Sequence, residues 1–476
     1  MDKNKYYITT PIFYVNDQPH VGSALATVCA DIIARFQKSL GKNVFFLTGT
    51  DEFGAKVALK AKSEGKDPQQ FVDELAKEFE KSWKLLNIDY NYFIRTTNAK
   101  HQKYVSEFIK KVYEKGDIYK GEYEGYYCIG CEAFKTDKEL VEGHCPIHRP
   151  DQTIFQHEEN YFFKLTKYAP KVLKLLESDE YKIIPDQKKK EIVTKLKSAI
   201  SNNELSDLSI SRENLDWGIR IPWDKKHAIY VWFDALLNYY TALKINDIYE
   251  QFWPADLHVV GKDILWFHTT IWIAMLLAVE EKLPKKIFTT SYFTIDGQKM
   301  SKSLGNVIRP ADLVEKYGVD GARYLLASSL PYHDDGDIGY GKFDTRFTSD
   351  LANNFGNLVN RVVGLINKKN YKIKDYDFNQ SYFDGVEDLF AECKLHEVLQ
   401  LVMKRVSKVN LKISEEKLWE KETDDFSTEI EDVVKSIRRI AYNLKPFMPQ
   451  TCTLIIKQFS INPDNKNGQV LFPRLI

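Results

Sequence analysis

The chain has 476 residues, of which 67 are basic and 67 acidic, and 43% are hydrophobic. This length suggests about two to four domains of roughly 150 residues, and the hydrophobic content excludes intrinsic disorder as a description of the whole chain. A formal net charge of zero argues against a histone-like nucleic-acid binder, and six cysteines are too few for a disulfide scaffold.

The cellular environment is predicted from what the sequence lacks. No apolar run reaches the ~18 residues of a membrane span, and the first residues contain neither a signal-peptide core nor a transit segment. We therefore expect a cytoplasmic protein without a membrane partner. In that reducing environment, clustered cysteines indicate a metal before a disulfide.

Strand and helix patterns alternate in two separate stretches of the chain. The first stretch predicts a strand at Tyr6–Thr10, a helix at Ser23–Leu40, a strand at Val44–Leu47 and a helix at Gly54–Lys62. The second predicts a strand at Leu257–Val260, a helix at Trp266–Ala278 and a strand at Ile287–Ile295. Such alternation is typical of an α/β domain with a parallel sheet covered on both faces.

The segments around this split sheet predict further domains. A block too long for a loop separates the two halves and is interpreted as an insertion, whereas amphipathic helical periodicity dominates after Leu351 and predicts a bundle. The predicted parts are two α/β halves at 1–114 and 229–305, an insertion at 115–228, a linking segment at 306–350 and a helical domain at 351–476.

A histidine–glycine turn follows the first predicted strand. In Pro19-His20-Val21-Gly22-Ser23, the following helix N-terminus offers free N–H groups and a partial positive charge, which suit a phosphate. His20 adds a donor, and Gly22 allows close backbone approach. Taken alone, the pattern fits a surface turn histidine equally well.

A second basic stretch follows the last predicted strand. It reads Lys299-Met300-Ser301-Lys302-Ser303 and is flanked by Gly297 and Gly305. Lysines and serines on a glycine-flanked loop suit a polyphosphate clamp, although a lone basic run is by default a solvated loop.

The predicted insertion contains ligand spacing typical of zinc. Cys128 and Cys131 are followed after thirteen residues by Cys145, with His148 three positions further on. CxxC followed by CxxH predicts a closed, structural, tetrahedral Zn²⁺ site. A redox pair or core thiols are the alternatives.

Together, the two signature stretches resemble those of class I aminoacyl-tRNA synthetases. The sequence around them is similar to blocks of the methionyl-tRNA synthetase family, in the same order: Thr10–Asn16, Thr48–Glu52, Tyr230–Ala235 and Gly261–Ile264. The resemblance implies a split Rossmann-like catalytic domain with an inserted zinc-knuckle domain, followed by an all-α anticodon-binding bundle. Ser23 and Phe53 depart from the family, which usually has histidine at both positions.

The resemblance also implies the reaction: ATP and L-methionine form methionyl-adenylate, and the methionyl group is then transferred to the 3′ ribose of tRNA(Met). The implied catalytic residues are His20, Ser23, Lys299 and Lys302. The implied ATP contacts add Gly22, Gly261, Asp263 and Ser301, with Mg²⁺ accompanying the nucleotide.

Two further sets of residues follow from the family blocks. The implied methionine pocket consists of Ile12, Tyr14, Asp51, Trp232, Ala235, Tyr239, Ile264 and His268. Tyr14 or His268 is expected to donate to the sulfur, and Asp51 to bind the ammonium group. The implied anticodon-binding residues are Asn357, Arg361 and Trp419, where tryptophan stacks on a base.

Three rival interpretations remain open at this point. The first is a related synthetase for isoleucine, valine, leucine or cysteine, although the insertion is small for an editing domain. The second is a nucleotidyltransferase for a smaller substrate, and the third is a non-catalytic tRNA-binding zinc protein. No dimerisation module follows the bundle, so we expect a monomer.

Overall fold

The computed structural model describes residues 4–128, 133–135, 140–146, 149–213, 215–291, 293–295, 297–300, 305–329, 336–374, 380–460 and 471–475. The chain forms two compact units. The first comprises Met1–Pro19, Gly41–Lys81 and Asp89–Thr289, and the second comprises His20–Leu40, Ser82–Ile88 and Thr290–Ile476.

The described elements are named here in chain order. The strands are β1 (Lys5–Tyr14), β2 (Asn43–Asp51), β3 (Tyr92–Arg95), β4 (Ile118–Cys128), β5 (Ala133–Lys135), β6 (Thr153–Phe163), β7 (Lys182–Ile184), β8 (Leu208–Ser209), β9 (Ser211–Arg212), β10 (Arg220–Ile221), β11 (Asp224–Ile229), β12 (Leu257–Gly261), β13 (Lys286–Thr290), β14 (Phe293–Ile295), β15 (Gln298–Lys299) and β16 (Gly336–Ile338). The α-helices are α1 (Val21–Ser39), α2 (Ala55–Ser63), α3 (Pro68–Leu85), α4 (Ala99–Glu114), α5 (Leu165–Glu177), α6 (Asp186–Ser201), α7 (Val231–Ala235), α8 (Asn238–Ile245), α9 (Tyr249–Phe252), α10 (Trp272–Ala278), α11 (Pro310–Ser328), α12 (Tyr340–Arg346), α13 (Asn357–Lys368), α14 (Val386–Ala391), α15 (Leu395–Glu415), α16 (Thr423–Leu444) and α17 (Pro449–Gln458).

A six-stranded sheet in the order β3-β2-β1-β12-β13-β7 forms the centre of the first unit. Its β3–β2, β2–β1, β1–β12 and β13–β7 pairs are parallel. The predicted α/β fold with a parallel sheet is therefore confirmed. The two stretches of alternating pattern do share one sheet, because β1 lies beside β12.

Strand β7 was not anticipated. It lies inside the range 115–228 that was predicted as an insertion, yet it pairs with β13 at the edge of the main sheet, with Ile183 opposite Ile287. Only three residues long, it is too short for its sequence pattern to be distinguished from the surrounding loops. The domain boundaries themselves stay a prediction.

The second unit contains the helices of the C-terminal part. Helix α1 packs against α11, and α16 packs against both α15 and α17, which confirms the predicted helical C-terminal region. A small sheet in the order β15-β14-β16 also belongs to this unit. Its strand β16 lies where only a linking segment was predicted.

A buried arginine joins several segments of the second unit. The guanidinium of Arg323 in α11 donates to Asp31 Oδ2 at 2.6 Å, Phe447 O at 2.9 Å, Pro446 O at 3.0 Å and Leu86 O at 3.1 Å. Both side chains of the Arg323–Asp31 pair have no exposed surface. Because a buried charge is tolerated only when it is paired and hydrogen-bonded, these contacts hold α1, α11 and the chain before α17 together.

Two predicted elements were wrong in detail. The range Ile287–Ile295 was predicted as one strand, but the chain forms β13 and β14, which belong to different sheets. The predicted helix at Trp266–Ala278 begins as a π-helical segment, Phe267–Ile271, before α10. Neither range carries a periodic signal that marks the interruption.

Candidate functional site

The N-terminus of helix α1 carries the predicted histidine. His20 is the N-cap residue, and its Nδ1 accepts the N–H of Gly22 at 3.0 Å. This hydrogen bond assigns the proton of a neutral ring to Nε2, on the opposite side. A Cβ atom on Gly22 would lie 2.8 Å from Cε1 of His20, so only glycine leaves room for the folded-back ring.

Ser23 takes part in the same cap. Its hydroxyl donates to His20 O at 2.8 Å and accepts the His20 N–H at 3.1 Å. The two residues thus form a capping box, which satisfies N–H groups that a helix start leaves unpaired. The departure from a second histidine therefore has a local structural role, and the predicted contact of Ser23 with phosphate stays a prediction.

The two signature stretches come together in the second unit. The N–H of Val21 donates to the carbonyl of Ile308 at 3.0 Å, which lies just after the basic motif. A Cβ atom on Gly22 would lie 3.8 Å from the methyl group of Met300, which lies within that motif. The side chain of Lys299, and Ser301, Lys302 and Ser303 as a whole, lie outside the described residues.

Three predicted pocket residues lie at the carboxyl ends of neighbouring strands in the first unit. In the parallel β1–β2 register, Ile12 lies opposite Gly49 and Tyr14 opposite Asp51. The Asp51 side chain is largely buried. A Cβ atom on Gly49 would lie only 2.0 Å from Ile94 O, so glycine is required where β2 passes β3.

Three of the other five predicted pocket residues, Trp232, Tyr239 and His268, lie in one aromatic group. Trp232 stacks on Phe267 with 3.9 Å between ring centroids, and its ring lies edge-on to His268 at 6.4 Å. Tyr239 is 1% exposed and its hydroxyl lies 2.7 Å from Nε2 of His268. Ala235 is buried and Ile264 partly buried. Aromatic side chains of this kind supply rigid apolar walls.

The hydrogen bonds of His268 determine which of its ring nitrogens carries a proton. Its Nδ1 lies 2.8 Å from the carbonyl of Ile264, and because a carbonyl only accepts, Nδ1 carries the proton. Nε2 then accepts from Tyr239. Burial lowers the pKa of His268 to about 4, so the ring is neutral at pH 7 and has no second N–H. In this arrangement the ring has no further N–H for a sulfur, and the donor to the methionine sulfur, Tyr14 or His268, stays a prediction.

His258 is a neighbour of this group that the sequence did not single out. Its Nδ1 lies 2.7 Å from the Thr9 hydroxyl, and its Nε2 accepts from the indole N–H of Trp272 at 3.3 Å. Burial lowers its pKa well below the ordinary value. A lone histidine within an apolar strand gave no signal that it connects β1, β12 and α10.

The ribose-site prediction concerns the end of β12. Gly261 precedes a short 3₁₀ turn, Lys262–Ile264, and the carboxylate of Asp263 lies 2.8 Å from the position that a Cβ on Gly261 would occupy. Any side chain at Gly261 would displace this carboxylate. The two predicted residues thus depend on each other for their geometry.

Beside Asp51, the buried carboxylate of Glu52 forms a network. It binds Arg95 through Nε at 2.6 Å and Nη2 at 3.0 Å, and it accepts the Thr50 hydroxyl at 2.7 Å. Phe53, the second departure from the family, is 6% exposed and packs against Trp217. It is therefore a core residue of the first unit.

Two of the four predicted zinc ligands lie close to one threonine. Cys128 at the end of β4 pairs in register with Thr153, and the N–H of Cys145 donates to the hydroxyl of Thr153 at 3.0 Å. Both cysteines are buried. Cys131 and His148 lie outside the described residues, and no group of three or more metal-ligating side chains occurs within the described part of the chain.

Two of the three predicted anticodon-binding residues are in contact. The guanidinium of Arg361 lies 5.1 Å from the ring centroid of Trp419 and donates to Ser414 at 2.9 Å. The Trp419 side chain is 39% exposed. Asn357 is exposed one turn before Arg361 on α13.

Comparisons with known proteins identify the family. A family model described as tRNA synthetases class I (M) matches residues 6–154 and 149–363. Methionine–tRNA ligase of Caldanaerobacter subterraneus subsp. tengcongensis is 39% identical over 99% of this chain and 79% of its own. That of Nostoc sp. is 41% identical over 96% of this chain and 90% of its own. The chain therefore belongs to the methionyl-tRNA synthetase family.

Solved structures agree with this assignment. Mycobacterium tuberculosis methionyl-tRNA synthetase in complex with methionyl-adenylate matches with a TM-score of 0.90 and 31% identity, over 99% of this chain and 100% of that chain. None of the described helices is long and apolar enough to cross a membrane.

Proposed function

We propose that this protein acts as a methionine–tRNA ligase. It activates L-methionine with ATP to methionyl-adenylate, releases pyrophosphate, and transfers the methionyl group to the 3′-terminal ribose of tRNA(Met). The observation that carries this proposal is the match, over 99% of the chain, to a synthetase solved with methionyl-adenylate. The meeting of the two signature stretches at the start of α1 supports it.

In the first step, the methionine carboxylate attacks the α-phosphorus of ATP in line, and pyrophosphate leaves. No protein nucleophile is needed, so catalysis consists of positioning and of stabilising charge on the phosphate oxygens. We assign His20 Nε2–H and the N-terminus of α1 to the phosphates, with Lys299, Ser301 and Lys302 holding the leaving pyrophosphate. Gly261 and Asp263 are assigned to the ribose.

Methionine selection is a problem of shape with few polar contacts. Tyr14 is the proposed donor to the sulfur, a weak acceptor, and Asp51 binds the ammonium group. Ile12, Trp232, Ala235, Tyr239 and Ile264 form the walls. His268 acts on this pocket by fixing the Tyr239 hydroxyl, since its two ring nitrogens are used by Ile264 and Tyr239.

A structural zinc ion in the insertion is part of the proposal. The burial of Cys128 and Cys145 around Thr153 fits soft ligands for a closed site, in which Cys131 and His148 would be the other two ligands. Such an ion would cross-link the knuckle and would take no part in the reaction. Mg²⁺ bound with ATP would neutralise part of the phosphate charge.

The helical domain supplies the proposed contacts to tRNA. Trp419, partly exposed beside Arg361, presents a face on which a base can stack, and Asn357 and Arg361 offer donors to base edges. We further propose a cytoplasmic monomer with the domain boundaries predicted above.

ATP–pyrophosphate exchange tests the proposal. Methionine is expected to support exchange, with isoleucine, valine, leucine and cysteine at least ~100-fold less effective. If another amino acid drives exchange and methionine does not, the assignment is wrong. No exchange at all would favour the non-catalytic tRNA-binding alternative.

A further inference from the structure

Asp337 binds the strand and the turn that precede the Lys299 motif. Its Oδ1 accepts the hydroxyl of Thr294 at 2.8 Å and the backbone N–H of Gly297 at 2.8 Å. Thr294 lies in β14, and Gly297 adopts a positive φ of 75° at the turn. One carboxylate oxygen therefore fixes the strand and the turn that follows it.

The strand pairing extends this contact to Lys299. Strand β16 pairs in parallel with β14, with Asp337 opposite Thr294. Strand β15 pairs in antiparallel fashion with β14, with Lys299 opposite Thr294. Thr294 is thus flanked by Asp337 on one side and by the backbone of Lys299 on the other.

The remaining carboxylate oxygen is held by a cation. Lys342 Nζ lies 2.6 Å from Oδ2 of Asp337. The Gly297 N–H, followed by Lys342 and Thr294, lowers the pKa of Asp337 to about 2, so the group is ionised at neutral pH. Charge-assisted hydrogen bonds of this kind are shorter and stronger than neutral ones.

On its C-terminal side, the Lys299 motif is followed by a second contact, which does not involve Asp337. Ile308 O accepts the N–H of Val21 at the start of α1, at 3.0 Å. The chain between Gly297 and Ile308 is therefore fixed at its start by Asp337 and at its end by α1. Positioning of phosphate-binding lysines depends on such fixed points, because a displacement of about 1 Å at a reacting group can cost on the order of a hundredfold in rate.

We infer that Asp337 is a positioning residue for adenylate formation, which acts by holding the hairpin that carries Lys299. This inference rests on the proposed function. Asp337 itself is assigned no contact with ATP or methionine. Its loss is expected to lower the rate of the chemical step and to leave methionine binding unchanged.

A graded set of variants tests this role. Asp337→Ala removes every contact of the carboxylate, Asp337→Asn keeps a neutral acceptor for Thr294 and Gly297, and Lys342→Met removes only the cation. We expect kcat for ATP–pyrophosphate exchange to fall by about tenfold to a hundredfold in Asp337→Ala, less in Asp337→Asn, and less than about threefold in Lys342→Met.

Asp344→Asn is the matched control. Asp344 accepts the Tyr317 hydroxyl at 2.6 Å and binds Lys316 at 2.9 Å, so it is an ion-paired aspartate of the same unit without a described contact to the hairpin. It is expected to retain exchange. KM for methionine, and methionine binding followed by tryptophan fluorescence, should match the unaltered protein in all variants.

The outcomes separate the possibilities. Unchanged kcat in Asp337→Ala overturns the inference, and so does a rise in KM for methionine that accounts for the whole loss. If Asp337→Ala does not fold, the other two variants decide. The inference is then overturned when kcat of Asp337→Asn is equal to or higher than kcat of Lys342→Met. Absence of methionine-dependent exchange in the unaltered protein would contradict the proposed function.

Discussion

Tyr239 donates its hydroxyl to Nε2 of His268 across 2.7 Å, while Nδ1 of the same ring donates to the carbonyl of Ile264. Both nitrogens of a fully buried imidazole are thus used by the protein. The neutral ring determines where the Tyr239 hydroxyl points, and through it the shape of one wall of the proposed methionine pocket.

This arrangement predicts a pH dependence of stability. The pKa of His268 is lowered to about 4 by burial, below the ~6.5 of an exposed imidazole. As the pH falls, the imidazole of His268 is protonated in the unfolded chain before it is protonated in the folded one. The contribution of the neutral ring to the free energy of unfolding is therefore complete above pH 6.5 and is lost as the pH falls to 4. For this group the loss between pH 7 and pH 5 is about 2 kcal/mol.

Denaturant unfolding of the unaltered protein and His268→Gln at both pH values measures this loss. Glutamine offers one donor and one acceptor but does not titrate. The difference between the two proteins reports the titration of His268 together with its effect on His258, whose pKa it helps to lower. Equal pH dependence in the two would contradict the neutral assignment.

His20 has two roles, as the cap of helix α1 and as the proposed donor to phosphate, and two variants separate them. In His20→Asn the side-chain oxygen can replace Nδ1 as acceptor for the Gly22 N–H, whereas the Nε2 donor is lost. In His20→Ala both are lost. The rate of ATP–pyrophosphate exchange should fall on the order of a hundredfold in both variants. The free energy of unfolding should fall only in His20→Ala, by ~1 kcal/mol. An Asn variant that retains full exchange would assign His20 to the cap alone.

The Arg361–Trp419 pair is expected to affect the second step only. Trp419→Ala and Arg361→Gln should raise KM for tRNA by about tenfold to a hundredfold, as base stacking is worth ~1–3 kcal/mol, with amino-acid activation unchanged. Aminoacylation and exchange assays compare the two steps. Arg405→Gln is the control, because Arg405 makes a similar contact with Phe383 at 5.4 Å. A control that fails equally would show that the effect is not specific to the pair.

Metal analysis tests the proposed knuckle. The purified protein should contain about one zinc per chain, and Cys145→Ser should lose it together with stability. Cys452→Ser, at a buried cysteine of α17, should keep the metal. Full metal content in Cys145→Ser would exclude this ligand set.

The buried pair in the second unit predicts a large stability loss. Arg323→Met leaves the carboxylate of Asp31 without its fully buried partner, which typically costs about 3–5 kcal/mol. Arg35→Met removes a partner of the same carboxylate at 2.7 Å, but Arg35 is 20% exposed, and we expect a smaller loss. Urea unfolding ranks the two variants, and the reverse order would contradict this account.

The elements predicted correctly from the sequence are those that have a local hydrophobic pattern or that lie near the blocks shared with the family. The alternation around β1, β2 and β12 gave the parallel sheet, and the helical periodicity gave α13, α15 and α16. The sequence did not predict β7 or β16, because three-residue strands are stabilised by their neighbours and not by their own pattern.

Within the site, residue types were predicted and hydrogen-bond roles were not. The resemblance selected His268, but the direction of its two hydrogen bonds depends on Ile264 and Tyr239, which only the fold places. The same holds for Ser23 in the helix cap and for Asp337 beside Gly297. In both cases the side chain binds a backbone group, and backbone groups are the same at every position of a sequence, so only the coordinates show these contacts.

The short strand β7 limits how this enzyme can be reduced in size. A deletion that removes the whole range 115–228 would strip the outermost strand from the main sheet and leave the N–H and C=O groups of β13 open along one side. Exposed edges of that kind recruit other chains and promote aggregation. A trimmed version should therefore retain Lys182–Ile184 and a tether long enough to return it beside Ile287.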